Sequence, residues 1–235
     1  VQVLRVDRDD EAAVADAVRG AAAVLLVSGT EPDRVEQHRR VVEAAREAGV
    51  EQLVYTSGPH ARGSSVRLLA DHSATEELLE TSGVPHTVLR NAWYVENYTA
   101  QVETYRAHGM VGAAGDGRVS LAPRREYAEA AAVVLTTDGH LGKLYELGGE
   151  AHTLAEVAAV IGETIGQEVA YTDVPVEQLQ QVLAGAGVPA PMDAVLADVD
   201  RGIAAGELLV PTTDLERLLG RPATDLRQAV KEALA

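Results

Sequence analysis

The feature that most constrains this chain is an alternation, over its first 150 residues, of short apolar runs with amphipathic ones. The run AAVLLV at 22–27 is apolar on both of its faces, which a strand tolerates only when both sides of its sheet are covered. It is followed by a helical pattern at 34–48, in which Val35, His38, Val41, Val42 and Ala45 share one face and Gly49 stands as the stop. The pattern repeats with a strand at 53–56, a helix at 68–81 closed by Gly83, and a strand at 87–90. Before it lie a predicted strand at 1–6 and a helix at 10–18. Strand–helix–strand repeats of this length predict a parallel sheet with right-handed crossovers.

Beyond Asn91 the rhythm changes. The glycine-rich stretch 109–123 (GMVGAAGDGRVSLAP) predicts turns around short strands, and it is followed by a helix at 126–135 and a strand at 144–147. Thr153 with Glu156 forms a capping box opening a helix at 154–165. Further helices are expected at 177–184, 192–205 and 226–234, with a second box at Thr213 and Glu216. These segments predict a main domain built on a parallel sheet over 1–110, elements at 111–150 that return to it, and a small helical lobe over 151–235.

Composition excludes several classes of function. The net charge is -16, from 20 basic against 36 acidic residues, and no basic stripe interrupts it, so nucleic acid is not an expected partner. No apolar run approaches the length of a membrane span, and no secretory leader is visible. The absence of cysteine removes disulfides, thiolate metal sites and a cysteine nucleophile, and fits a cytoplasmic protein. The scattered histidines His60, His86, His108, His140 and His152 have no metal-ligand spacing.

In an open parallel sheet, ligands bind beyond the carboxyl ends of the strands. Ser28 and Gly29 end the first of the apolar strands, where small residues let a ring or ribose approach the backbone. Tyr55, Thr56 and Ser57 end the next, offering hydroxyls either to a ribose or substrate oxygen or to a turn. The strand at 87–90 runs into Asn91, Ala92, Trp93, Tyr94, Val95, Glu96 and Asn97. This cluster could form a pocket walled by Trp93 and Tyr94 and oriented by Asn91, or a loop pinned by its aromatics. His72 and Glu76 share a helix face, with His72 either a proton donor and substrate contact or a structural histidine. Asp7 either accepts from an adenine amino group or caps the helix that follows. His38 reads as a core or boundary residue, and Arg124, Arg125, Glu126 and Tyr127 as solvated surface, with a lid or substrate role as the alternative.

Together VLLVSGTEP, HRRVVEAAREAGV, LVYTSGPHA, LADHSATEELL, SGVPHTVLRNAWYVENY and GMVGAAGDGRVS resemble the NmrA-like, atypical short-chain dehydrogenase family, in its quinone oxidoreductase type 2 branch, and the resemblance continues to LLGRPATDL. It implies an α/β fold: a Rossmann-like doubly wound parallel sheet, N-terminally incomplete, with a small, mostly helical C-terminal lobe. The expected activity is NAD(P)H-dependent reduction of quinones by direct hydride transfer, with NADP favoured over NAD and neither flavin nor metal. The alternatives are a non-catalytic dinucleotide-sensing regulator and a truncated chain that binds no cofactor. The implied cofactor contacts are Asp7, Ser28, Gly29, Thr56, Ser57, Asn91, Ala92, Trp93, Tyr94, Val95 and Glu96. The implied catalytic residues are His72 and Tyr94, with a quinone near them and Trp93; a homodimer is left open. The family's opening strand and glycine-rich phosphate-binding turn are not in this sequence, which is expected to enter at the third strand of the family's order. Where other dehydrogenases of this class carry Tyr-x-x-x-Lys, this chain carries His72 and Glu76, so alcohol or ketone chemistry through an ionised tyrosine is disfavoured.

Overall fold

The computed structural model describes residues 4–235. The expected strand at 1–6 falls partly outside them, and residues 4–6 belong to no strand. Asp10 caps the first helix, α1 (Glu11–Val18), by accepting from the Ala13 N–H. Next come β1 (Ala23–Val27), α2 (Arg34–Glu47), β2 (Gln52–Ser57), α3 (Arg67–Ser82) and β3 (His86–Asn91). A short connecting region holds β4 (Trp93–Tyr94), α4 (Glu96–Thr99), α5 (Val102–His108), β5 (Met110–Gly112) and β6 (Arg118–Ala122). The chain returns through α6 (Arg124–Thr136) to β7 (Leu144–Leu147), then runs through β8 (Glu150–Thr153), α7 (Leu154–Ile165), β9 (Tyr171–Asp173), α8 (Val176–Gly185), α9 (Met192–Ala204), α10 (Thr213–Leu219) and α11 (Leu226–Ala233).

The main sheet has the order β1-β2-β3-β7 and every pairing in it is parallel. Successive side chains of β2 go to opposite faces. Leu53 and Tyr55 join Val42, Ala45 and Leu79 on the face covered by α2 and α3. Val54 joins Ala130, Val134 and Leu215 on the face covered by α6 and α10. Both faces of β2 are therefore buried, whereas β1, the strand at the sheet edge, leaves Leu25 and Val27 39% and 51% exposed, so the expectation that both faces of its apolar run are covered does not hold. Each fully buried leucine or valine contributes about 1.5–3 kcal/mol to this packing. Gly83, with φ 77, ends α3 in the left-handed conformation that a side chain would strain.

Two smaller sheets stand on the carboxyl side of the main one: β4-β6-β8, in which β6 and β8 are antiparallel, and the parallel pair β5-β9. A core cluster containing Leu121, Val157, Ile161, Val199, Ile203 and Val230 joins β6 to α7, α9 and α11. The Thr153–Glu156 capping box forms as expected. The second expected box does not: Thr212 is the N-cap, with φ -74 and ψ -16, and no side chain caps the helix. Thr213 is already in the first turn, where its hydroxyl cannot reach the orphan N–H groups.

On α9, the Asp200 carboxylate accepts from the Ala113 N–H at 2.8 Å. Burial pushes its pKa up to about 6, and the neighbouring Asp173 adds to the effect. Glu126 and Tyr127 are not the solvated surface expected of them. Glu126 has no exposed area, and it accepts from the Thr224 N–H and hydroxyl and from Arg221, which holds the turn before α11 against α6. Its exposed neighbours Arg124 and Arg125 do lie at the surface.

Candidate active site

The carboxyl ends of β1, β2 and β3 converge, and most of the residues singled out from the sequence are there. At the end of β1 the Ser28 N–H donates to Thr56 Oγ1, 3.0 Å away at the end of β2. The Gly29 carbonyl accepts from Arg34 at 3.1 Å. Arg34 is buried and also donates to Asp71 at 2.9 Å and to the Leu68 carbonyl at 2.6 Å, so it clamps the loop after β1 onto α3. Its role was not visible in the sequence, where it reads only as the first residue of a helix.

Alternation along β2 sends Tyr55 and Ser57 to the same side, and a helix presents residues four apart on one face. The two periods match. Tyr55 Oη lies 2.8 Å from His72 Nδ1, and Ser57 Oγ donates to Glu76 Oε1 at 2.6 Å. Gly58 follows β2 directly; a Cβ there would meet Leu69 at 2.4 Å and the His72 ring at 3.3 Å. Burial, and then the Arg34 guanidinium, lower the His72 pKa to about 3, so its ring is neutral at physiological pH. Burial likewise raises the Tyr55 phenol well above its ordinary value.

Glu76 is buried beside Arg90 of β3, which donates to it from Nε at 2.8 Å and to Glu146 from Nη1 at 2.8 Å. Its hydrogen bonds to the Glu76 carboxylate hold Arg90 firmly protonated. Glu76 is thus a structural carboxylate tied to an arginine. Beyond Gly58, Glu146 also accepts from the backbone N–H of His60, a non-glycine residue at φ 48. His60 Nε2 donates to the Leu209 carbonyl at 2.9 Å.

The 91–96 segment divides. Asn91 is buried at the end of β3, donating from Nδ2 to the Tyr94 hydroxyl at 3.3 Å, while its Oδ1 is buried with no partner among the described residues. Trp93 packs against the cluster of the helical lobe and Tyr94 against the cluster beneath α6, so the two rings leave β4 in opposite directions and do not wall one pocket together. Tyr94 lies 5.2 Å from the Tyr127 ring and carries the Arg124 guanidinium 5.2 Å from its centroid. Ala92 and Val95 are core residues, and Glu96 accepts from the Arg124 N–H at the start of α6. Asp7 is exposed and accepts from the Asp9 N–H, while Asp10 supplies the helix cap.

Among the described residues, no helix is long and apolar enough to cross a membrane and no group of three His, Cys, Asp or Glu is placed to hold a metal ion.

The model of the NmrA-like family matches residues 1–208. The chain belongs to the NmrA-like family. Among its NmrA-like relatives, quinone oxidoreductase 2 of Escherichia coli is 40% identical over 233 residues, spanning 98% of this chain and 82% of that protein. The crystal structure of the NADPH-dependent quinone oxidoreductase from Escherichia coli complexed with NADPH superposes with a TM-score of 0.95 at 39% identity, covering 100% of this chain and 84% of that one. The triphenylmethane reductase of a Citrobacter species complexed with NADP(H) gives a TM-score of 0.91 at 34% identity, with coverages of 100% and 84%.

Proposed function

We propose that this NmrA-like protein reduces quinones with NADPH: quinone, NADPH and a proton give hydroquinone and NADP+. The observation that carries the reading is its likeness, over nearly the whole chain, to the Escherichia coli quinone oxidoreductase. When bound, NADPH supplies a hydride from its nicotinamide ring.

The nicotinamide half of such a cofactor fits the residues at the strand ends. The unpartnered Asn91 Oδ1 is an acceptor suited to a carboxamide N–H, since a buried polar atom without a partner is costly to the free protein. Ser28 and Thr56 offer small hydroxyls to a ribose beside Gly29, which has no side chain, while Ser57, its hydroxyl donated to Glu76, stands behind them. Ala92, Val95 and Glu96 are occupied by the fold and contribute through the backbone, and Asp7 stands for the adenine end. A quinone would lie over the nicotinamide beside His72, with Tyr94 on the Asn91 side and Trp93 toward the lobe. Ring-to-ring hydride transfer needs close approach and modest stabilisation of developing oxyanion charge, which a neutral imidazole N–H can supply. It does not need an ionised tyrosine. Glu76, a carboxylate where other dehydrogenases of this class carry a lysine, raises a neighbouring tyrosine pKa and cannot lower it.

The test is calorimetric titration of NADPH into the purified protein, followed by the loss of NADPH absorbance with para-benzoquinone and a panel of naphthoquinones. Micromolar binding with quinone-dependent oxidation is expected. Binding without turnover by any quinone would overturn the enzymatic reading in favour of a dinucleotide sensor, and no binding by folded protein would remove the cofactor site.

A further inference from the structure

We infer that Tyr55 is a positioning residue: through its hydroxyl it holds His72 as the Nε2–H tautomer, aiming a neutral N–H donor past Gly58 at a quinone oxygen. This deepens the reading above and rests on it.

The direction of each proton follows from the hydrogen bonds around α3. The Thr75 hydroxyl donates to the Asp71 carbonyl at 2.9 Å. Its oxygen must therefore accept from His38 Nδ1, 3.0 Å away, which makes His38 the Nδ1–H tautomer. The remaining His38 nitrogen, Nε2, is sealed in the core without a partner. His38 is in this sense a finished core residue, with no open side.

His72 differs. Tyr55 has no exposed area; its hydroxyl lies 2.8 Å from His72 Nδ1, and the Thr75 hydroxyl stands beside it as a weaker second contact. If Nδ1 carried the proton, the buried Tyr55 O–H would have only the weaker contact with the Thr75 oxygen, which already accepts from His38. Burying an unmade donor is unfavourable enough to bias the equilibrium by roughly tenfold or more. The phenol therefore donates to Nδ1, and the imidazole proton goes to Nε2. Unlike the His38 nitrogen, His72 Nε2 is not sealed among the buried unpartnered atoms, and it makes no hydrogen bond with a described residue. Its edge of the ring lies against Gly58, where a Cβ would stand 3.7 Å from Nε2 and 3.3 Å from Cδ2. In His38, which serves packing, the second nitrogen is enclosed by the core. In His72 one nitrogen is fixed from behind and the other is left open beside the first residue past the carboxyl end of β2.

The experiment is nitrogen-15 NMR of the imidazole-labelled protein, comparing the wild type with Tyr55→Phe, alongside steady-state quinone reduction. In the wild type, His72 is expected as the Nε2–H tautomer with a hydrogen-bonded Nδ1. In Tyr55→Phe, which keeps the ring and its packing, a mixture of tautomers is expected. The same variant should lose about tenfold in kcat with little change in the affinity for NADPH, and adding Tyr55→Phe to His72→Ala should cost nothing further. A second pair keeps the test independent of Tyr55→Phe folding: His72→Gln places its amide N–H near Nε2 and should retain more activity than His72→Asn, whose N–H falls near Nδ1. An Nδ1–H tautomer in the wild type, an unchanged tautomer in Tyr55→Phe, or His72→Asn outperforming His72→Gln would each overturn the inference. The NMR measurement needs no turnover, so an inactive wild type with the expected tautomer would count against quinone reduction and not against the positioning by Tyr55.

Discussion

Replacing Asp200 by asparagine should stabilise this protein in a way that grows with pH. In the fold the carboxyl titrates near 6 in place of the ordinary 3.8, because it is largely withdrawn from water, with Asp173 nearby and Tyr98, Tyr105 and Tyr171 around it. A folded-state pKa raised above the unfolded value means that the stability contributed by the neutral acid is complete below pH 3.8 and is lost as pH rises through 6. The separation of 2.2 units, 6 minus 3.8, corresponds to about 3 kcal/mol at 1.36 kcal/mol per unit. An asparagine stays neutral throughout and can still accept from the Ala113 N–H. Relative to its own baseline, Asp200→Asn should gain about 0.5 kcal/mol at pH 4, about 1.6 at pH 5 and about 3 at pH 8. For a chain of this size that is roughly 6–12 °C in Tm at the alkaline end. Urea unfolding followed by tyrosine and tryptophan fluorescence at several pH values measures the trend. A difference between variant and wild type that is constant with pH, or that shrinks as pH rises, would refute the argument that Asp200 is a carboxylate held against its preference.

Arg90→Met should destabilise the fold by about 3–5 kcal/mol in urea unfolding, because it leaves Glu76 buried without its arginine; pairing it with Glu76→Leu should recover most of the loss. His38 and His72 titrate near 4 and 3 in the fold, chiefly through burial, against 6.5 when unfolded, so each contributes stability that is complete above pH 6.5 and lost as pH falls toward those values. Together they give a slope of about 2.7 kcal/mol per pH unit near pH 5, and His38→Asn should roughly halve it in an acid-unfolding series. Thr56→Val leaves the Ser28 N–H without its acceptor and should weaken NADPH binding about fivefold to tenfold by calorimetry, whereas unchanged affinity would separate the β1–β2 junction from the cofactor site.

What the sequence disclosed followed from periodicity. AAVLLV, the 34–48 stripe and the stops at Gly49 and Gly83 fix strands and helices to within a residue or two, because apolar spacing and positive-φ glycines are local signals. The short strands β8 and β9 were not legible: Glu150–Thr153 and Tyr171–Asp173 are strands only because β6 and β5 lie beside them. The candidate site was legible as a set of strand ends but not as a set of partners. NAWYVEN announces a cluster, yet only the pleat of β4 separates Trp93 from Tyr94. Glu126 reads as surface because its partners, Thr224 and Arg221, arrive from nearly a hundred residues away. The pairs Tyr55–His72 and Ser57–Glu76 could have been found, since a period of two on a strand faces a period of four on the following helix, but Arg34 carried no such signal.

The loop that leaves β2 is held from the far end of the chain. Ser64 and Ser65 donate to Glu207, the Arg67 N–H to Asp198, and Arg201 to the Ser65 carbonyl, while His60 keeps its left-handed backbone against Leu209 and Glu146. The segment that shapes the floor beside His72 and the α9 end of the helical lobe are therefore one cooperative unit. Backbone amides on both sides of the seam should exchange with solvent at a common rate, and anything that pries the lobe away unmakes the floor with it.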